Sequence, residues 1–192
     1  MSTETPDTDV PETDITTEPT EIAMRVLKVA TTVSLSNRST LGYALGGDDS
    51  NAIFLSLRSN TAAGMFSTNW IAFLDIANAL VHADRITSST LAPLYSGTSR
   101  NNAGFMLAVL LGEGLVCPFE RYYQRQDFKP FLHQINSLIA AGVDLGDADA
   151  ALEGLEASEA LEASDATDAA KVDAGEVAAV PTAKRGRPAK RA

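Results

Sequence analysis

Ile53-Phe54-Leu55-Ser56-Leu57-Arg58, a short loop, and Gly64-Met65-Phe66-Ser67-Thr68-Asn69-Trp70 leading into Ile71-Ala72-Phe73-Leu74 form the stretch on which the fold turns. Its first part repeats every two residues. Ile53, Leu55 and Leu57 would face one side of a strand, with Phe54, Ser56 and Arg58 on the other. Its last part switches to helical spacing, with Trp70, Phe73, Leu74, Ala77, Leu80 and Val81 in one stripe. Ser67, Thr68 or Asn69 can cap that helix. Upstream, Gly46-Gly47-Asp48-Asp49 is a hairpin signal, and Leu41, Tyr43 and Leu45 alternate with small residues as in a half-buried strand. Residues 23–35 hold enough Val, Leu and Thr for a leading strand.

The same order recurs downstream. Ser39-Thr40-Leu41 returns as Ser89-Thr90-Leu91, and each copy precedes a turn rich in Gly, Asp, Asn and Ser. Each turn leads into an apolar segment, Asn51 to Leu57 in the first copy and Asn102 to Ala108 in the second, which reads as a strand. Leu115 to Gln124 reads as a further strand, with Pro118 favouring an edge or bulge position. A second helical stripe follows at Phe128, Phe131, Leu132, Ile135, Leu138 and Ile139, each 58 positions after its counterpart. Asp127 can cap this helix with Pro130 in its first turn. The fold class expected is α+β: two similar units of antiparallel strands, each closed by one helix (units about 22–86 and 87–140) and flanked by disordered tails.

The 192 residues carry a formal net charge of −10, unevenly divided. Residues 1–21 hold seven acids and no base, and residues 22–140 hold nine bases against seven acids. Residues 141–180 hold eleven acids and one lysine, and residues 181–192 five bases and no acid. The first segment buries too little apolar surface to offset its ordering entropy and reads as a disordered acidic tail. Residues 141–180 read as an acidic, Ala-rich linker, in which transient helix is expected rather than a packed one. The last twelve residues form a basic tail. An acidic average therefore does not exclude a polyanionic partner.

Two consecutive units of strands closed by a helix resemble the Whirly fold. They also resemble its relatives, the transcriptional-coactivator-type single-stranded DNA-binding proteins, in which two one-unit chains pair. The resemblance is most specific at the junction quoted above, where a strand, a loop and a short segment containing Ser67 and Thr68 lead into a helix beginning near Trp70. In outline it covers about residues 23–140. It implies single-stranded DNA binding in replication, recombination or transcription.

Sequence-tolerant binding of a single strand needs cations along the backbone path and aromatic faces on which bases stack. Candidate cations are Arg38, Arg58, Arg100, Arg121 and Arg125; candidate stacking residues are Tyr43, Phe54, Tyr122 and Tyr123. Alternation along Glu120-Arg121-Tyr122-Tyr123-Gln124-Arg125 would set Arg121, Tyr123 and Arg125 on one face. In the tail, Lys184-Arg185-Gly186-Arg187-Pro188 contains the Arg-Gly-Arg-Pro core of an AT-hook. Its glycine lets the backbone approach the floor of a narrow A·T minor groove while the arginines enter the negative potential there. The expected partner is nucleic acid, single-stranded DNA foremost, with an A·T-rich duplex contacted through the tail.

Other classes find little support. A single cysteine, Cys117, excludes a disulfide framework and a Cys-rich zinc site, and beside Pro118 it reads as a buried thiol. His82 and His133 lie on different helices without a carboxylate or cysteine at metal-ligand spacing. Neither a catalytic constellation, nor a phosphate loop, nor a cofactor or small-molecule site emerges, so the chain is expected not to be an enzyme. The most apolar run, Ala103 to Val116, is interrupted and too short to cross a bilayer, and the first residues, with no basic n-region and no apolar h-region, are not expected to be a secretory signal. The expected location is cytoplasmic: nucleoid-associated, or the host cytoplasm if the chain is viral. The competing expectation is a phage or mobile-element interaction protein that forms homo-oligomers through its apolar strands. Convergence of Arg58, Arg121, Tyr123 and Arg125 on one open face favours the first reading. An exposed patch of Phe54, Met106 and Leu110 favours the second.

Overall fold

A computed structural model describes residues 24–62 and 64–168, with side chains as far as residue 158. Four strands, β1 (Arg25–Val33), β2 (Thr40–Gly47), β3 (Ile53–Asn60) and β4 (Ile71–Ala72), form an antiparallel sheet in the order β1-β2-β3-β4, and α1 (Phe73–Val81) follows. A short helix α2 (Ser88–Leu91) runs into a 3-10 turn (Ala92–Tyr95). Then come α3 (Asn101–Gly112), a two-stranded antiparallel hairpin of β5 (Val116–Phe119) and β6 (Tyr122–Arg125), α4 (Lys129–Ala140) and α5 (Ala148–Asp168). The described residues up to Leu155 form one compact unit and those from Glu156 belong to a second, of which the rest of α5 is described. The class is α+β with antiparallel strands, and each half closes with a helix, α1 or α4.

The inner sheet face carries Leu27, Tyr43, Leu45, Leu55 and Leu57. It packs on Phe73, Ile76 and Leu80 of α1, Met106 and Leu110 of α3, and Phe131 and Ile135 of α4. The β2–β3 turn forms where Gly46-Gly47-Asp48-Asp49 predicts it. Asp48 Oδ1 accepts the N–H of Ser50 (2.9 Å) and of Ala52 (2.8 Å), and Asn51 takes a left-handed φ of 62°. The Ser50 hydroxyl and then the Ala52 N–H hold the Asp48 carboxyl below its ordinary range.

The residue-for-residue duplication fails in the second half. Asn102 to Ala108 is not a strand but most of α3, in which Ala103 and Met106 to Leu110 are all buried. A helix buried on every side has no stripe, so its apolar run looks the same as that of a buried strand. Ser89-Thr90-Leu91 is likewise helical. The Thr87 N–H donates to Thr90 Oγ1 and the Thr90 N–H to the Thr87 carbonyl, both at 3.1 Å, which closes the first turn of α2. Leu115 to Gln124 is a hairpin rather than one strand, reversing where Glu120 adopts φ 52°. Pro118 sits in β5, where a two-stranded sheet always offers an edge.

Smaller differences follow from packing. The buried stripe of α1 is Phe73, Ile76 and Leu80, whereas Leu74 (69% exposed) and Val81 point outward. Ser67, Thr68 and Asn69 do not cap α1, which starts at Phe73 after Ala72. They line a connecting loop in which Thr68 C=O accepts the Ser56 hydroxyl at 2.7 Å. Asp127 Oδ1 accepts the Lys129 N–H (3.0 Å) beside an N-cap at Phe128. β2 is buried on both faces rather than half-buried. The expected linker contributes α5 and two buried residues, Ala148 and Leu152. No helix among the described residues is long and apolar enough to cross a membrane. The expected acidic N-terminal tail, the end of the linker and the basic tail lie outside the described residues.

Candidate nucleic-acid interface

The outer sheet face, turned away from α1, α3 and α4, is built on a row of small residues. Alternation along β2 puts Gly42, Ala44 and Gly46 there, opposite Thr31, Val29 and Val26 on β1. On β3, Ser56 pairs with Ala44 and Phe54 with Gly46. The floor is therefore shallow along its centre, and larger groups can lie down on it. Trp70 does so over Gly46, where an added Cβ would sit 2.9 Å from the indole ring and 2.8 Å from Met24. Gly42 likewise leaves no room for a Cβ beside Leu152 and Ser59.

Arg58 reaches this face through an irregularity in the ladder, where the pairing slips between Gly42 and Tyr43. Its guanidinium lies 4.6 Å from the centre of the Trp70 ring. Its Nη1 is 3.9 Å from Asp149 Oδ1, and its Nε is buried with no hydrogen-bond partner. A guanidinium stacked on indole keeps its in-plane N–H groups free for an anion, and desolvation raises the contact toward about 2 kcal/mol. Phe54 lies half-buried on the same face.

The other predicted residues fall elsewhere. Tyr43 is buried on the inner face and cannot stack a base, because strand alternation turns it toward α3. Its hydroxyl donates to Glu113 Oε1, and the same carboxylate accepts Lys28 Nζ at 2.7 and 3.0 Å. Burial, followed by the Glu113 hydrogen bond and charge, pushes the Tyr43 hydroxyl far above its ordinary pKa of 10.0. Arg38 is exposed in the β1–β2 loop. Arg100 precedes α3 and lines a cleft of about 250 Å³ with Ser34, Ser36, Ser88 and Phe105.

On the hairpin, Arg121 occupies the turn, which breaks the alternation expected to align it with Tyr123 and Arg125. Tyr123 exchanges backbone hydrogen bonds with Ile86 (2.8 and 3.1 Å) and packs on the core, so its ring is not free. Arg125 lies 5.4 Å from the Phe128 ring centre, and Arg85 lies 5.4 Å from that of Tyr122. Arg58, Arg121, Tyr123 and Arg125 therefore do not share one face. Met106 and Leu110 are fully buried, so the apolar patch that was to signal oligomerisation does not form. Lys184, Arg185, Gly186, Arg187 and Pro188 lie outside the described residues.

Trp70 and Arg85 are what sequence reasoning missed. Trp70 fits the helical stripe of α1 by spacing, whereas the Gly42/Ala44/Gly46 alternation marks a floor that an aromatic ring can cover. Arg85 gives no comparable signal. His82 and His133 are exposed, and Cys117 is half-buried, accepting from Gln126 Nε2 at 2.8 Å. Among the described residues, no group of three or more His, Cys, Asp or Glu side chains could hold a metal ion. The chain matches no protein-family model, no curated protein sequence and no solved structure.

Proposed function

We propose that this protein is a non-enzymatic binder of single-stranded nucleic acid, DNA in the first instance, and that the outer face of the four-stranded sheet is its binding surface. One observation carries the reading: Arg58 stacked on Trp70, with an unpartnered buried Nε, above a floor of Gly42, Ala44 and Gly46. A cation beside an aromatic face is what sequence-tolerant binding of a strand requires. Phe54 supplies a second ring beside them. Arg85 beside Tyr122, and Arg121 and Arg125 on the hairpin, supply further cations away from the sheet face. The basic tail adds phosphate or A·T minor-groove contact, which is strongly salt-dependent.

The test is fluorescence anisotropy with oligo-dT and an A·T-rich duplex at low and moderate salt. It compares the full chain, the chain ending at residue 180, and Arg58→Glu. Strand binding that survives removal of the tail and is lost in Arg58→Glu supports the sheet site. Binding that disappears with the tail, and is mainly to duplex, refutes it.

A further inference from the structure

The outer face is covered by the chain's own acidic segment. We propose that residues 145–155 are a displaceable internal competitor for the strand: Asp149 stands where a phosphate meets Arg58, Leu152 lies where a base stacks on the Gly42 floor, and a bound strand expels both. The inference rests on reading this face as the nucleic-acid site.

Three observations carry it. The first is chemistry: the segment brings Asp147, Asp149 and Glu153 and no base, and one of these carboxylates faces the one arginine of the sheet face. The Arg58–Asp149 approach is long at 3.9 Å, and the Asp149 side chain is 61% exposed, so a phosphate oxygen can replace it with a shorter contact to a guanidinium whose Nε is unpartnered. The second is shape. Arg58's side chain is only 13% exposed and Leu152 fills the space over Gly42, so a strand reaches the floor only when this segment moves.

The third is the sparseness of the attachment. Among the described contacts, one backbone hydrogen bond, Leu145 N–H to Val26 C=O at 2.8 Å, the long Arg58–Asp149 approach and two buried side chains, Ala148 and Leu152, hold the segment to the sheet. Gly142 (φ 68°) and Gly146 (φ 73°) lie in the connection from α4, with open space where a Cβ would be. By contrast, α1, α3 and α4 each bury several large side chains in the main core. The cover is thus the part of this unit that can leave without dismantling the rest.

A cover closed nine-tenths of the time lowers apparent affinity about tenfold. The experiment uses the full chain, with oligo-dT as probe and two readouts: anisotropy for Leu152→Ser, Asp149→Asn and Arg58→Glu, and amide exchange of the unmodified chain with and without oligo-dT. The expected result is binding about tenfold tighter in Leu152→Ser and a smaller gain in Asp149→Asn. Amide exchange across residues 145–155 is expected to speed up on adding the strand while β2 and β3 slow. Unchanged or weaker binding in Leu152→Ser, or unchanged exchange at 145–155, overturns the cover, and loss of binding in Arg58→Glu then leaves the sheet site standing. Unchanged binding in Arg58→Glu overturns the site and the cover with it. If Leu152→Ser does not fold, the exchange of the unmodified chain decides.

Discussion

Replacing Glu113 tests the link between the last turn of α3 and the sheet. Its side chain is 4% exposed, and its carboxylate accepts two contacts from Lys28 Nζ and one from the Tyr43 hydroxyl. Removing one partner of a buried ion pair costs about 3–5 kcal/mol, because the other charge stays behind. Lys28 is 27% exposed and can partly rehydrate, which puts its share near the bottom of that range, at about 3 kcal/mol. Tyr43 cannot rehydrate, and its orphaned hydroxyl adds about 1–3 kcal/mol. Glu113→Ala is therefore expected to lose about 4–6 kcal/mol, a large part of the 5–15 kcal/mol typical of a domain. Glu113→Gln keeps an acceptor for Tyr43 and should lose only about 2–3 kcal/mol. Urea denaturation followed by circular dichroism reads both values, and a cycle with Lys28→Met should return a coupling of at least about 1 kcal/mol. A loss below about 1 kcal/mol in Glu113→Ala, or equal losses for Ala and Gln, would show that the carboxylate does not anchor α3.

Three other expectations can be checked on the same material. Tyr95→Phe should be neutral or stabilising by about 1 kcal/mol in urea melts, because the buried Tyr95 hydroxyl has no partner. Burial raises the pKa of Tyr95, and burial with Glu113 raises that of Tyr43, so above pH 10 the unfolded chain loses protons that the folded chain keeps. Stability should then fall with rising pH by about 1.4 kcal/mol per unit for each tyrosine, a slope that Tyr95→Phe halves. Gly46→Val should destabilise and displace the indole, seen as a shift in Trp70 fluorescence, whereas Leu74→Glu on the exposed side of α1 should change the urea midpoint little.

Legibility in the sequence divides near residue 87. Before it, β1, the β2–β3 hairpin and the helix after Trp70 lie where strand and helix periodicities place them, because β3 and α1 turn one apolar face to the main core and β2, although buried on both faces, alternates large with small residues. After it, α3 is buried over most of its circumference and its apolar run carries no clear period, so Asn102 to Ala108 reads as readily as a strand. The hairpin at Glu120 was hidden for a related reason. Its reversal depends on a left-handed non-glycine residue, and nothing in Leu115 to Gln124 marks that position as a turn.

The candidate site was legible in parts. Arg58 and Phe54 on one side of β3 follow from alternation, and so does the small-residue row of β2. That Trp70 folds back over Gly46, that Tyr43 turns inward to Glu113, and that Leu152 descends onto Gly42 are contacts between residues 24 to 110 positions apart. By itself the sequence determined the antiparallel α+β character of the first half, the second closing helix and the partition of charge, because local periodicity and composition govern these. Only the tertiary structure decided which arginine meets an aromatic face and which acidic segment covers the sheet. Those choices depend on space left by missing Cβ atoms on a neighbouring strand, a property that no local stretch of the chain displays.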